Sequence, residues 1–364
     1  MSKVAIVVGT RPEVIKMAPV IREFQKRKLD FVFIHTGQHY DYEMSKTFIE
    51  ELKLPEPEYS FILKNRSPAS QIGEMMTKLE KVLIETNPQF LLIQGDTNTM
   101  LAAALTGVKV GIPVGHVEAG LRSYDWRMPE EHNRRMVDHV SDLLFAPTEK
   151  AKKNLENEHV YGKIFVTGNT VIDAVMQHIK IAEEKSKIME KIPFKEYILI
   201  TAHRAENVDN PKTLKNFVET FLELPIPAVY PIHPRTMKRL KENNLYDKLS
   251  NTDKILLLPP VGYLDMLILM KNCKLILTDS GGLQEEATVP LIRKPVLVLR
   301  QSTERPEAVE AGFAKVIGTE KMKILNEVAK TLNPDLKLPE TSPFGDGRAS
   351  ERIINILIRE LNLE

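Results

Sequence analysis

Acidic side chains follow two apolar segments in the first half of the sequence. Asp96 follows the segment FLLIQG, and Glu118 follows PVGHV. Short apolar segments rich in β-branched residues predict buried strands, and a carboxylate at a strand end is placed to accept or donate a proton. Asp96 also stands where an N-cap would stand if a helix began near Thr97, so a structural explanation for it remains open. No comparable explanation applies to Glu118.

A third carboxylate belongs to the charged segment PEEHNRR at 129–135, which opens another predicted helix. Acidic residues in a first helical turn are ordinary partners of the helix dipole, and that explanation covers one glutamate better than the whole cluster. Glu130 is therefore a candidate, and the same segment carries Arg134. His132 and His139 share the helix, but no further ligand stands at a suitable spacing. The sequence predicts no metal site.

The second half carries signals for a nucleotide diphosphate. His203 follows the segment YILI and has charged neighbours in TAHRAEN. Ser280, Gly281 and Gly282 follow LILT, and small residues let a helix N-terminus approach a diphosphate closely. Glu286 lies further along that helix, where its carboxylate could accept hydrogen bonds from both hydroxyls of a ribose. The combination predicts a nucleotide site.

Cationic side chains accompany two further segments, GTRPE at 9–13 and TERPE at 303–307. Arg11 and Lys16 accompany the segment GTRPE, where free backbone N–H groups and two cations could hold a phosphate. A solvated helix cap with surface cations is the alternative for this segment. Arg305 in TERPE could neutralise a departing diphosphate, and His233 after AVYPI is a weaker contact candidate. No GxGxxG follows any predicted strand, so we expect no dinucleotide cofactor.

The elements that must position these residues alternate regularly along the chain. Apolar segments each followed by a loop and a helical pattern predict a parallel, doubly wound α/β sheet. The predicted strands are 4–8, 31–35, 90–93, 114–117, 143–146 and 164–166, then 197–200, 228–232, 255–258, 275–278, 295–299 and 314–317. Ligands bind at the carboxyl ends of such strands, which is where the candidate residues stand.

Two sets of strands predict two Rossmann-like domains that face each other across a cleft. We place the hinge in the segment 168–195, which ends in a charged helical pattern. The expected domains are 1–170, joined by a terminal amphipathic helix at 349–364, and 171–348. The length of 364 residues suits two α/β domains.

Composition narrows the class of protein. Hydrophobic residues make up 43% and charged residues 27%, with a formal net charge of +1, so we expect no nucleic-acid or membrane partner. Cys273 is the only cysteine, which excludes an intrachain disulfide and suits a reducing compartment. The apolar segment at the amino terminus stops at Gly9 and is too short for a signal sequence. We expect a cytoplasmic enzyme.

The motifs occur in an order that resembles one family. GTRPE, TGQH at 36–39, GDT at 95–97, VEAGLR at 117–122, PEEHNR, TAHRAEN, TDSGG, QEE and TERPEAVEAG together resemble the non-hydrolysing UDP-N-acetylglucosamine 2-epimerases. The resemblance spans nearly the whole chain. It implies a GT-B-like fold, a homodimer, and interconversion of UDP-N-acetylglucosamine and UDP-N-acetylmannosamine without any added cofactor.

The resemblance also implies a mechanism. C2 of this sugar bears nitrogen, and its proton is not adjacent to a carbonyl, so neither oxidation nor enolisation inverts it easily. In the implied route a base removes the C2 proton while UDP leaves C1, which gives a bound 2-acetamidoglucal. UDP then adds back and C2 is protonated from the opposite face. At least one acid–base group should then have a pKa raised by burial or by neighbouring carboxylates.

Residue assignments follow from the matched motifs. Inversion needs proton donors and acceptors on two faces of the sugar, and the resemblance gives that function to Asp96, Glu118 and Glu130, with the individual steps unassigned. The groups implied to stabilise departing UDP are His203, Arg11, Lys16, Arg134 and Arg305. Ser280, Gly281 and Gly282 are implied to hold the diphosphate and Glu286 the ribose.

Regulation is a further implication. Bacterial family members bind a second UDP-N-acetylglucosamine near the TGQH loop, and Gln38, His39 and Arg66 stand at corresponding positions. Activation by the substrate is therefore a hypothesis. The continuation YDYEM at 40–44 departs from the QHR-type sequence of the regulated enzymes, which leaves both the regulation and the substituent at sugar C3 open.

Four other functions remain to be distinguished. The substrate could be a UDP-2,3-diacetamido sugar or its uronate, which substrate profiling decides. A GT-B glycosyltransferase would need an acceptor, whereas an epimerase turns over without one. A nucleotide-sugar sensor would not need three acidic residues at cleft positions. A hydrolysing epimerase would release UDP and free N-acetylmannosamine, but the chain has no extension of kinase size.

Overall fold

The computed structural model describes residues 3–38, 48–64 and 67–363. The chain divides into two compact units. Unit 1 comprises Met1–Ala174 together with Phe344–Glu364, and unit 2 comprises Val175–Pro343. Each unit contains its own parallel sheet, so the position of every candidate residue follows from the strand that precedes it.

Unit 1 is built on a seven-stranded sheet with the order β3-β2-β1-β4-β5-β6-β7, in which all pairs are parallel. Its strands are β1 (Val4–Val8), β2 (Phe31–His35), β3 (Tyr59–Ser60), β4 (Phe90–Gln94), β5 (Val114–Val117), β6 (Leu143–Ala146) and β7 (Lys163–Val166). The five residues of β1 have no exposed surface, as expected for a parallel strand covered by helices on both faces.

The helices of unit 1 alternate with these strands. They include α1 (Arg11–Arg27), α2 (Pro68–Thr86), α3 (Asn98–Val110), α4 (Pro129–Val140), α5 (Glu149–Asn157) and α6 (Thr170–Lys185), which continues into unit 2. Local sequence explains where α1 begins and ends. Thr10 and Glu13 have the spacing of a capping box, in which Glu13 accepts from the backbone N–H of Thr10, and Lys28 ends the helix in the left-handed conformation.

Unit 2 is built on a six-stranded sheet with the order β10-β9-β8-β11-β12-β13, again entirely parallel. Its strands are β8 (Ile198–Thr201), β9 (Ala228–Pro231), β10 (Ile255–Leu258), β11 (Leu275–Thr278), β12 (Val296–Val298) and β13 (Ala314–Val316). A 3₁₀ helix, Ile188–Lys191, precedes the first of them. The helices are α7 (Ala205–Val208), α8 (Pro211–Leu222), α9 (Pro234–Glu242), α10 (Tyr246–Ser250), α11 (Tyr263–Asn272), α12 (Gly281–Glu286), α13 (Pro306–Glu310) and α14 (Lys321–Thr331).

The last helix, α15 (Ala349–Leu361), belongs to unit 1. Asp173 in α6 accepts hydrogen bonds from the backbone N–H groups of Ala349 and Ser350 and from the hydroxyl of Ser350. Further along α15, Asn355 accepts a hydrogen bond from Arg27 of α1, with 2.6 Å between the atoms. The Asp173 carboxylate therefore caps α15 through two of the N–H groups that a helix start leaves without internal partners.

Both sheets reverse their strand order at one point. In unit 1 this lies between β1 and β4, and in unit 2 between β8 and β11. The arrangement confirms the predicted α/β class with two Rossmann-like sheets. Ligands of such sheets bind outside the carboxyl ends of the strands at the reversal point. The loops after these four strands are therefore the first place to look for a site.

Candidate active site

One buried carboxyl group joins the two loops at the reversal point of unit 1. Oε2 of Glu13 accepts hydrogen bonds from the N–H groups of Gly9, at 2.6 Å, and Thr10, at 3.0 Å. Its Oε1 accepts one from the hydroxyl of Thr97, at 2.5 Å. Burial raises the pKa of Glu13 to about 7, although these hydrogen bonds oppose the shift. Glu13 thus ties the loop after β1 to the loop that carries Asp96.

Glu118 lies directly after β5 in a backbone conformation that is unusual for its residue type. Its φ is 71°, in the left-handed region, and its side chain is almost entirely buried. Both carboxylate oxygens accept from Nζ of Lys16, at 2.6 and 2.7 Å, and one also accepts from the amide of Gln94. Such conformations persist where the surroundings hold them, and they cluster at functional sites. The structure therefore brings Lys16 and Glu118 together.

Asp96 lies at the end of the neighbouring strand, since β4 pairs with β5. Its Oδ2 accepts from Nε of Arg134, at 3.1 Å, and from Nη2 of the same guanidinium. Its backbone carbonyl accepts from the amide of Asn133, at 2.9 Å. Thr97 is the N-cap residue of α3. The Asp96 side chain is thus held by an arginine, and the helix-cap interpretation of Asp96 is wrong.

The guanidinium of Arg134 is shared with a second carboxylate. Glu131 is fully buried and accepts from Nη1 of Arg134, from Nε of Arg135, and from both the N–H and the hydroxyl of Ser123. Burial opposes ionisation, but the Ser123 hydrogen bonds and the arginine charge together lower the pKa of Glu131. Glu131 was not among the sequence candidates. The adjacent glutamates of PEE were its only signal.

Glu130, the other glutamate of that motif, is exposed in the first turn of α4. Among the described residues it forms no hydrogen bond and no ion pair. Its neighbour Glu131 faces inward and carries the ion pairs of this helix. The structure therefore separates the two glutamates that the sequence presents side by side.

In unit 2, the loop after β8 is attached to the loop after β11 by Asp279. This fully buried carboxylate accepts from the N–H of His203, at 3.1 and 2.9 Å, from the N–H of Arg204, at 2.9 Å, and from the amide of Asn207, at 3.0 Å. Its Oδ1 also lies 3.2 Å from Nδ1 of His203. Asp279 was not a sequence candidate, and the motif TDSGG gave no hint of this contact.

The rings of His203 and His233 stack, with 5.4 Å between their centroids. His233 is exposed, and its Nδ1 accepts from the backbone N–H of Arg235 at the start of α9. Burial lowers the pKa of His203; the Asp279 charge opposes the shift, while Arg204 and His233 add to it. The two histidines thus meet at one end of the sheet.

The segment Ser280 to Gly282 begins the short helix α12. Ser280 is the N-cap residue, and its N–H donates to the hydroxyl of Thr278 at 2.9 Å. A Cβ placed on Gly282 would meet no atom within 4 Å, so this glycine borders open space. A Cβ on Gly281 would lie 3.1 Å from Oε1 of Glu304, and Glu286 is half-buried at the end of the helix.

A cationic cluster surrounds Glu304 beside this helix. Arg300 donates to Glu304 at 2.6 Å, and a guanidinium nitrogen of Arg204 lies 3.8 Å from it. Burial opposes ionisation, yet the charges of Arg305 and Arg300 lower the pKa of Glu304 to about 2. Arg305 is itself buried, with Nε 2.5 Å from Oε1 of Glu285. The sequence singled out only Arg305 from this cluster.

The remaining candidates concern the first loop and the regulatory hypothesis. Arg11 is exposed, and its guanidinium carbon lies 5.9 Å from the ring centroid of Phe48. Gln38 accepts hydrogen bonds from the N–H and the hydroxyl of Thr99, at 2.8 and 2.7 Å, in the first turn of α3. His39 and Arg66 lie outside the described residues.

Within the described ranges, no group of three or more histidine, cysteine, aspartate or glutamate side chains is arranged to hold a metal ion. No helix in that part of the chain is both long and apolar enough to cross a bilayer.

The chain is similar to known proteins over nearly its whole length. A family model described as UDP-N-acetylglucosamine 2-epimerase matches residues 22–358. The UDP-N-acetylglucosamine 2-epimerase of Methanocaldococcus jannaschii is 48% identical over 364 residues, which cover 98% of each chain. That of Methanococcus maripaludis is 46% identical over 369 residues, which cover 99% of each. The crystal structure of the M. jannaschii protein in complex with UDP-GlcNAc and UDP matches with a TM-score of 0.88 at 48% identity, covering 98% of this chain and 99% of that one.

Proposed function

The chain belongs to the UDP-N-acetylglucosamine 2-epimerase family, and we propose that it inverts C2 by eliminating UDP to a 2-acetamidoglucal and adding UDP back. The resemblance of the motifs to this family is thereby confirmed. The protein is an isomerase, and its reaction is the C2 epimerisation of UDP-N-acetylglucosamine. The GT-B-like fold class that the resemblance implies is confirmed as well.

The chemistry of the substrate supports the elimination route. When a base removes the C2 proton, the electron pair of the C–H bond forms a C1–C2 double bond, and the C1–O bond breaks with its pair on the UDP oxygen. Return of that oxygen to C1 and delivery of a proton to the opposite face of C2 give the epimer. No electrons enter or leave, so the route needs no redox cofactor.

Unit 1 supplies the groups for proton transfer in this proposal. The observation that carries it is the placement of Asp96 and Glu118 at the ends of adjacent strands, each anchored by a cation. Anchored carboxylates are held in position before substrate arrives, which is what general acid–base catalysis requires. Glu130 stays a predicted third group, because its exposed side chain is not anchored in the same way.

Unit 2 supplies the groups for the nucleotide. Ser280 and the two glycines at the start of α12 are proposed to hold the diphosphate, since Gly282 borders open space where a ligand could approach. Glu286 is proposed to bind the ribose. His203 and Arg305 are proposed to stabilise the charge on departing UDP.

The other residues that the sequence analysis assigned to binding UDP have less structural support. Arg11 is exposed, whereas Lys16 and Arg134 are engaged with Glu118 and Asp96. We therefore assign the lysine and Arg134 primarily to anchoring the carboxylates. His233 stays a predicted contact through its stacking on His203.

Two further parts of the proposal concern assembly and regulation. The family resemblance implies a homodimer in the cytoplasm, and light scattering of the purified protein measures the dimer directly. Activation by UDP-N-acetylglucosamine through Gln38 is tested by the turnover of UDP-N-acetylmannosamine with and without a trace of UDP-N-acetylglucosamine. An identical initial rate in both reactions would remove the regulatory hypothesis and leave the catalytic one intact.

The main experiment follows UDP-N-acetylglucosamine and the protein in deuterated water by NMR, with no acceptor, metal or NAD added. The expected product is UDP-N-acetylmannosamine that carries deuterium at C2. Product that retains protium at C2 would contradict proton exchange with solvent. Release of free N-acetylmannosamine would indicate a hydrolysing epimerase, and unchanged substrate would direct attention to a diacetamido sugar or to transfer onto an acceptor.

A further inference from the structure

Asp279 is a buried carboxylate that the proposed reaction does not use. It stands directly after β11, and its side chain has no exposed surface. β11 pairs with β8, so the loop of Asp279 and the loop of His203 leave neighbouring strands at the reversal point of the sheet. A buried charge at such a place needs partners that compensate for its lost hydration.

All the described partners of the Asp279 side chain lie in the segment 203–207, which follows β8. The N–H groups of His203 and Arg204 and the amide of Asn207 donate to it, and Oδ1 lies 3.2 Å from Nδ1 of His203. Every one of these atoms is a donor or can become one by carrying a proton. An asparagine at this position would present an NH₂ group to some of those donors. The site therefore specifies a carboxylate.

The separation of 3.2 Å between Nδ1 of His203 and Oδ1 of Asp279 also bears on which ring nitrogen carries the proton. A neutral imidazole carries one proton, and the nitrogen that faces a carboxylate is the one that keeps it. With the proton on Nδ1 facing Asp279, Nε2 points to the opposite side of the ring. About 35% of the His203 side chain is exposed, whereas Asp279 is fully enclosed. Asp279 thus contacts the ring at Nδ1 only, and Nε2 on the opposite side does not contact it.

We propose that Asp279 is a positioning residue that fixes the orientation and tautomer of His203 and stabilises its protonated form while charge develops on departing UDP. This inference rests on the proposed function, which gives His203 the task of stabilising that charge. Asp279 itself does not touch the substrate. Its effect reaches the reaction only through the histidine and through the backbone of the His203–Arg204 loop.

The charged groups around His203 give the sign of the expected titration. Burial lowers the pKa of His203, Asp279 raises it, and Arg204 and His233 lower it. Loss of the Asp279 charge removes the one interaction among these that favours the protonated ring. The pKa of His203 should therefore fall further in the Asp279→Asn variant.

The experiment combines ¹⁵N-histidine NMR of the full-length protein with steady-state kinetics. The resonances of His203 are identified by their loss in His203→Gln. In the wild type we expect the neutral ring to carry its proton on Nδ1. In Asp279→Asn we expect a lower His203 pKa, a changed tautomer, and a kcat for UDP-N-acetylglucosamine reduced on the order of 10- to 100-fold, with a smaller change in KM.

Tyr230→Phe is the matched control. Tyr230 is also fully buried, and its hydroxyl donates to the carbonyl of Ala202, the residue before His203, at 3.0 Å. The substitution removes a buried hydrogen bond from the same loop but leaves the Asp279 charge in place. His203 should keep the wild-type tautomer in this variant, and kcat should stay within a few-fold of the wild type.

Several results would overturn the inference. One is an Asp279→Asn variant that loses activity while the pKa and tautomer of His203 stay unchanged, because Asp279 would then only brace the loop. Another is a wild-type kcat in that variant. If the variant does not fold, the wild type alone decides, since a neutral His203 with its proton on Nε2 contradicts the proposed contact. Absence of UDP-N-acetylmannosamine formation by the wild type would instead refute the proposed function and leave the tautomer result standing.

Discussion

The two units use the same strand order to hold charges of opposite kinds. At the reversal point of unit 1, cations anchor the carboxylates that we propose for proton transfer, as Lys16 does for Glu118. At the reversal point of unit 2, buried carboxylates anchor a histidine and arginines, as Asp279 does for His203. The sheet therefore supplies positions, whereas the loop residues decide which charge each position presents.

The same contrast appears in two acids whose pKa values are strongly shifted. Burial dominates for Glu13 in unit 1 and raises its pKa to about 7, since its described partners are N–H and O–H groups without charge. Arginine charges prevail over burial for Glu304 in unit 2 and lower its pKa to about 2. For these two acids, the presence or absence of a neighbouring cation therefore decides whether the pKa falls or rises.

The largest effect should follow from Glu118→Gln in unit 1. We expect kcat to fall on the order of 10²- to 10⁴-fold, which is the range for loss of a general acid or base. Calorimetry should show UDP binding close to the wild type, because the groups proposed to bind the nucleotide lie in unit 2. Glu80→Gln, an exposed glutamate of α2, is the matched control and should keep both quantities. An equal loss of UDP binding in Glu118→Gln would break the division of labour between the units.

Lys16→Met tests whether the cation anchors Glu118. Removal of one partner of a buried ion pair leaves the other poorly compensated, so the free energy of unfolding should fall by about 3–5 kcal/mol. Denaturant titration measures it. The double variant Lys16→Met with Glu118→Gln should recover part of this loss, because the uncompensated charge is then absent. Two losses that simply add would show that the pair is not coupled.

The pH dependence of stability should differ between Glu13→Gln and the wild type. The folded-state pKa of Glu13 is raised from 4.5 to about 7, so the folded protein holds a proton that the unfolded chain has released between these values. Wild-type stability should therefore decline relative to the variant as pH rises from 4.5 to 7, by on the order of 3 kcal/mol. Denaturant titrations at pH 5 and 8 measure the difference. Parallel curves would mean that Glu13 titrates normally.

The smallest effect on stability should come from Glu130→Gln. Its side chain is exposed, so the free energy of unfolding should stay within about 0.5 kcal/mol of the wild type. If Glu130 exchanges a proton at C2 as the family motif implies, kcat should still fall by about 10²-fold, the lower end of the range for loss of a general acid or base. A wild-type kcat would remove Glu130 from the catalytic set and leave Asp96 and Glu118 as the anchored pair.

Strands were predicted more completely than side-chain contacts. The apolar segments at 4–8, 31–35, 114–117 and 143–146 coincide with β1, β2, β5 and β6. The two-residue strand Tyr59–Ser60 was missed because it is too short to show a pattern. In unit 2, the predicted segment 295–299 extends one residue beyond each end of β12, Val296–Val298. Both extra residues still bond to β11, since Pro295 accepts from the N–H of Ile276 and Leu299 donates to the carbonyl of Thr278.

The candidate residues that were missed share one property. Glu13, Glu131, Asp279 and Glu304 are all buried acids, and acidic residues in loops and first helical turns are usually solvated. Nothing in their local sequence distinguishes a buried acid from an exposed one. Glu130 and Glu131 show the limit most clearly, since they are adjacent and identical, yet only Glu131 faces the arginines.

The sequence by itself determined the α/β class, the two sets of parallel strands and the family, because hydrophobic periodicity and ordered motifs are properties of neighbouring residues. The tertiary structure alone decided which charges meet. Lys16 and Glu118 are 102 residues apart, and His203 and Asp279 are 76 apart, so their contacts exist only after distant strands have paired. Such pairings depend on burial and on distances of a few ångströms, which no local pattern records.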